Sequence, residues 1–183
     1  MLKSPMDILN QFPVRKSKDQ KSCFRNEVRH FGENLGYVVT EETGILGDCN
    51  LILGNPESAK YLVTARYDLC ANGSTSGLIT LLEIVRTLPM NQRHKVCFVL
   101  FDFENLLLGG SVSYRKNHKT ATDRQLVLHL DRVGYGDSMM MFPSKLLRKD
   151  RRKLTSLYRA CGYFGKKSLL VYESSAPLPV MRI

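Results

Sequence analysis

The run KVCFVLF, Lys95 to Phe101, restricts the architecture of this chain more than any other feature. A strand with one face in water alternates apolar and polar residues, and this run does not. It predicts a central strand covered on both faces, the pattern of a mainly parallel sheet with helices packed on either side.

The flanking sequence supplies those helices and further strands. Phe24, Val28, Phe31 and Leu35 recur at helical spacing, so Asp19 to Leu35 reads as an amphipathic helix with Asp19 as cap and Gly36 as stop. Tyr37 to Thr40, Asn50 to Leu53 and Tyr61 to Ala65 are short β-branched or aromatic runs, separated by Gly44, Gly47 and the turn Gly54 to Pro56. Leu78, Leu81, Leu82, Val85 and Leu88 mark a second helix, capped within Ser74 to Ser76 and ended before Pro89. Leu126 to Leu130, Met139 to Phe142 and Ser168 to Tyr172 read as strands, with a short helix near Ser111 to Lys116. Ser144 to Cys161 reads as a basic helix with Leu147, Leu154 and Leu157 inward. The tail 173–183 carries no pattern and is expected to be irregular. Together these elements predict a single α/β domain over 1–183, three layers around a largely parallel, mixed central sheet, with any site at the carboxyl ends of the strands.

Composition narrows the function classes. The chain has 183 residues with 43% apolar content, enough for one core, and no apolar run approaches the ~20 residues that span a bilayer. The N-terminus has no signal-peptide pattern, and Cys23, Cys49, Cys70, Cys97 and Cys161 are odd in number with no CxxC pair, so a cytoplasmic protein without a disulfide framework is expected. Net charge is +10, and from Met141 onward ten Lys and Arg stand against only Asp150 and Glu173. Arg148, Lys149, Arg151, Arg152 and Lys153 form a basic helix face that is either simply solvated or docks an acidic protein or nucleic acid.

Three polar clusters follow directly on buried strands: Arg66, Tyr67 and Asp68; Asp102, Glu104 and Asn105; Asp131 and Arg132. Carboxylates gathered at adjacent strand ends repel one another unless a metal or a cationic side chain neutralises them.

From Asn50 to Gly134 the segments NLILG, VTARYD, ANGSTSGLITLLEIVRTL, KVCFVLFDFENLLLGGS and LHLDRVG follow one another in an order that resembles the bizinc exopeptidases, the family of bacterial leucyl aminopeptidase, aminopeptidase S and glutaminyl cyclase. The resemblance implies a zinc-aminopeptidase-like α/β fold. It also implies two zinc ions held by two histidines and three carboxylates, with a glutamate acting as general base on a bridging water.

Most of that site has changed. Arg66 stands where the family has a histidine ligand, and Asp68 matches the aspartate that orients it. Asn72 falls on the bridging aspartate, and Asn105 on a ligand glutamate. Glu104 matches the general base and Asp131 a remaining ligand, both vestigial. No histidine follows His129, so the family's last ligand and C-terminal portion are expected to be missing. One carboxylate does not hold zinc, and no cofactor is expected. Arg66 is instead expected to pair with Asp131 or Asp68, and Arg132 to offset Glu104.

Three readings follow. The first is an aminopeptidase-like scaffold with the dizinc site lost, by natural decay or deliberate rebuilding, inactive on peptides and serving as an interaction domain. The second is an active zinc aminopeptidase with replacement ligands such as Cys70. The third is a module that binds nucleic acid or an acidic partner through the basic helix. His94, His118 and His129 fall at no metal-ligand spacing and His30 lies on the first helix beside Phe31, so each reads as a surface or core residue, and Phe103, Leu107 and Leu108 read as packing.

Overall fold

The computed structural model describes residues 3–44, 47–68, 75–102 and 109–130, and the backbone of short strands at 140–141, 170–171 and 180–182. The order is α1 (Pro5–Gln11), α2 (Lys18–Asn34), β1 (Val39–Thr43), β2 (Cys49–Leu53), β3 (Tyr61–Arg66), α3 (Ser76–Thr87), a 3₁₀ turn (Met90–Lys95) and β4 (Val96–Phe101). It continues through α4 (Gly109–Asn117), α5 (Lys119–Thr122), β5 (Leu126–Leu130), β6 (Met140–Met141), β7 (Leu170–Val171) and β8 (Val180–Arg182).

The main sheet runs β1-β2-β4-β3-β5-β8. β3 pairs parallel with both β4 and β5, and β5 with β8, whereas β1–β2 and β2–β4 are antiparallel. The sheet is therefore mixed, as expected. Its two faces are both buried. Leu51, Leu53, Val63, Ala65, Phe98, Leu100 and Leu130 face Ile8 and Leu9 of α1, Phe24, Val28 and Phe31 of α2, and Leu78 to Val85 of α3. The alternate residues Ile52, Leu62, Cys97, Val99, Phe101 and Val127 pack with Tyr114 of α4. That two-sided burial is why KVCFVLF carries no polar face.

Several local expectations are corrected. The cap of α2 is Ser17 and not Asp19: the Ser17 hydroxyl accepts from Gln20 N while the Gln20 side chain accepts from Ser17 N, so the reciprocal box outcompetes a lone aspartate. The stop is as expected. Gly36 has φ 82°, and its N–H and that of Tyr37 donate to Glu33 O and Gly32 O, closing the helix end in a left-handed turn. Arg93 braces the same end, donating to Leu35 O and to Leu88 O at the end of α3, with its guanidinium over the Tyr37 ring. The first strand lies later than expected because this turn occupies Leu35 to Tyr37. α1 is an addition, nucleated by a Ser4–Asp7 capping box with Pro5 at its first position. The tail is not wholly irregular, since Val180–Arg182 pairs with β5. β6 and β7 do not join the main sheet but pair parallel with each other. The basic helix expected at Ser144 to Cys161 lies outside the described residues.

Candidate functional site

The parallel strands deliver Arg66, Tyr67 and Asp68 at the end of β3 beside Asp102 at the end of β4, because Arg66 pairs in register with Phe101. Tyr67 locks this junction. It is fully buried, its N–H donates to Phe101 O at 3.0 Å, and its ring stacks on Phe24 with centroids 5.6 Å apart. Its hydroxyl donates to Cys49 O at 2.7 Å and accepts from Arg25 Nη1 at 2.8 Å. Burial pushes the phenol far above its usual range, and the nearby Asp102 charge adds to this, so Tyr67 stays neutral.

Charges meet around this junction in pairs. Arg66 Nε lies 3.4 Å from Asp68 Oδ1, both side chains largely buried. Lys21 Nζ on α2 donates to Asp102 Oδ1 at 2.6 Å, and Asp102 Oδ2 accepts from Cys49 N at 3.3 Å. Burial raises the Asp68 carboxyl, the Arg66 cation lowers it, Asp102 raises it and Lys21 lowers it, and the balance leaves it above its ordinary value. One further cation sits behind them. Arg15 is buried, its Nε donating to Tyr67 O at 2.7 Å, Nη1 to Phe12 O at 2.6 Å and Nη2 to Thr75 Oγ1 at 3.3 Å. Burial pulls its pKa down to about 10, with the Asp68 charge opposing.

The structure thus brings together the expected Arg66 and Asp68. The partners proposed for them at Asp131, and the Glu104–Arg132 pair, lie outside the described residues, as do Cys70, Asn72, Asn105, Phe103, Leu107, Leu108 and the basic residues Arg148, Lys149, Arg151, Arg152 and Lys153. Among the histidines, His129 is a core residue, its Nδ1 2.9 Å from Thr64 Oγ1. Sequence reasoning missed Lys21, Arg25 and Arg15. A signal existed for the first two: Lys21 and Arg25 sit one turn apart on the same face of α2 as Phe24 and Val28, and cations on an apolar face imply buried partners. Thr75, anticipated as a candidate cap of α3, makes no side-chain cap bond and instead accepts from Arg15.

Chemically, this arrangement supplies fixed cations to strand-end carboxylates. Among the described residues no three His, Cys, Asp or Glu side chains converge as a metal-holding group. A guanidinium offers only donors and no lone pair to a metal.

The sequence pattern of peptidase family M28 matches residues 54–175. The chain belongs to peptidase family M28. Solved structures agree with the fold of this M28 domain. The Porphyromonas gingivalis glutaminyl cyclase is similar with a TM-score of 0.72 at 19% identity, over 98% of this chain and 79% of that one. The Legionella pneumophila LapA aminopeptidase also gives 0.72, at 14% identity over 98% of this chain, and this chain spans only 59% of LapA. A Bacteroides thetaiotaomicron glutaminyl cyclase, solved bound to N-acetylhistamine, gives 0.68 at 17% identity, over 98% of this chain and 82% of that one. Among curated proteins no sequence match is found. At these identities the likeness establishes the M28 fold, and the site must speak for the chemistry.

Proposed function

We propose that this M28 domain has lost the dizinc site, hydrolyses no peptide bond and serves as a non-catalytic interaction domain. The observation that carries the reading is the buried Arg66–Asp68 pair, 3.4 Å apart at the position where the resemblance puts a histidine ligand and its orienting aspartate. The described part of the site does not fit zinc. Arg66 brings a fixed cation, which repels a divalent ion, and a guanidinium with no lone pair to offer it. A complete ligand set delivers about 10–16 kcal/mol. With Arg66, Asn72 and Asn105 standing where the resemblance puts ligands, little of that attraction remains to oppose the repulsion.

The proposed partner is acidic, a protein or a nucleic acid, facing Arg148, Lys149, Arg151, Arg152 and Lys153; the net charge of +10 supports this. We place the domain in the cytoplasm. In support, Cys23, Cys49 and Cys97 are free thiols. Among the described residues no helix is long and apolar enough to cross a membrane.

The test incubates the full chain with leucine p-nitroanilide and, separately, with an N-terminal glutaminyl peptide, with added zinc or with a chelator. The expected result is no chelator-sensitive turnover of either substrate. Chelator-sensitive release of nitroaniline or cyclisation of the peptide would establish the active-enzyme reading in its place.

A further inference from the structure

Away from the strand ends, His118 stands between two carboxylates that belong to different elements. Its Nε2 is 2.7 Å from Glu42 Oε2 on β1, and its Nδ1 is 3.0 Å from Glu57 Oε1 in the turn after β2. Asn117 Nδ2 donates to the other oxygen of Glu42 at 3.1 Å, and the Tyr114 ring lies against the imidazole with centroids 4.6 Å apart. The backbone of His118 is fixed as well, its carbonyl accepting from both the N–H and the hydroxyl of Thr122. His118 is therefore held in place with both ring nitrogens committed.

A neutral imidazole has one N–H and one lone pair. Two carboxylate contacts at hydrogen-bond distance on opposite sides of the ring need two N–H groups, which only the imidazolium has. Removing the proton turns one contact into lone pair against lone pair, and that contact must open. We propose that His118 is a pH-gated clamp. As an imidazolium it ties α4 to both β1 and the β2–β3 turn, and on releasing its proton to water it lets go of one of the two carboxylates.

The surroundings favour the charged form. Burial opposes it, but the hydrogen bonds and charges of Glu57 and Glu42 outweigh burial and raise the His118 pKa above its ordinary 6.5. Among the described residues, Tyr114 from α4 also faces the ring, and burial pushes its phenol far above its usual range, so it adds no charge. Lys116 and Lys119 flank His118 on its own segment and are exposed. β1 is the edge strand of the main sheet, so its attachment to α4 supplements its pairing with β2 alone. The sign is fixed by linkage. A pKa raised on folding gives stability that is complete below 6.5 and is lost as pH rises through the folded value.

The experiment uses the full chain. The His118 imidazole is titrated by NMR, and melting temperature is measured from pH 5 to 9 for the natural protein and for His118→Gln. The expected result is a His118 midpoint above 6.5 and a melting temperature that falls with rising pH more steeply in the natural protein than in the variant. Should His118→Gln fail to fold, Glu57→Gln removes the charge of the exposed carboxylate that partners His118 Nδ1 and is expected to lower the His118 midpoint. A midpoint at or below 6.5, parallel pH profiles, or a midpoint indifferent to Glu57→Gln overturns the proposal.

Discussion

Lys21 and Asp102 form a buried ion pair, 2.6 Å apart, that joins the first turn of α2 to the end of the central strand. Helix α2 approaches the strand ends through this pair and through the Arg25–Tyr67 bond. Removing only the ammonium leaves the buried Asp102 carboxylate without its ion-pair partner. Lys21→Met is expected to destabilise the protein by about 3–5 kcal/mol, measured by urea unfolding. Combining it with Asp102→Leu should recover most of that loss, since the pair is more costly to break than to replace.

Arg15 is the second anchor. Its three acceptors come from Phe12, Tyr67 and Thr75, on three separate segments, and no single ammonium reaches all of them. Arg15→Lys is expected to cost about 1–3 kcal/mol, because at least one of these acceptors is left without its donor. Equal stability of Arg15→Lys and the natural protein would remove Arg15 from this role.

Gly110 lies at the start of α4, where its N–H donates to Asp102 O at 2.9 Å and its carbonyl accepts from Asn50 Nδ2 at 2.8 Å. A methyl group here meets the backbone of Asp102 and the Asn50 amide, neither of which has room to yield. Gly110→Ala is expected to destabilise by about 3 kcal/mol or more, above the common range for overpacking, as read from the denaturant midpoint.

How much of this was written legibly along the chain depended on where the partners lie. The period of Phe24, Val28 and Phe31 marked α2, and the unbroken apolar run of β4 marked a sheet with two covered faces. Both signals are local, repeating and driven by burial. Arg15 was not legible because its acceptors are mostly backbone carbonyls, which every residue carries and which only the fold brings near. β8 was not legible because three residues, Val180 to Arg182, give too short a pattern for a strand whose pairing is decided by the neighbouring β5. At the site, Arg66 and Asp68 stood out because they share one strand end, whereas Lys21 comes from helix α2, whose approach to the strand ends has no local signal beyond its own charged interruption of an apolar face.

Asp68 gives the site a pH signature. Burial lifts its carboxyl above the ordinary 3.8 despite Arg66, so its contribution to stability is complete below 3.8 and declines as pH rises through the folded value. This is opposite to a salt-bridged surface aspartate. The stability of the natural protein relative to Asp68→Asn is therefore expected to fall as pH rises above 3.8, followed by urea unfolding at each pH. A relative stability that rises over the same interval would mean that Arg66 outweighs burial.

The central claim, that side-chain cations of this chain neutralise its strand-end carboxylates in place of zinc, is tested most directly by equilibrium dialysis of the purified full chain against micromolar zinc, followed by elemental analysis. The expected result is zinc at the level of the dialysis buffer. One or two zinc ions retained per chain and released by a chelator would contradict it.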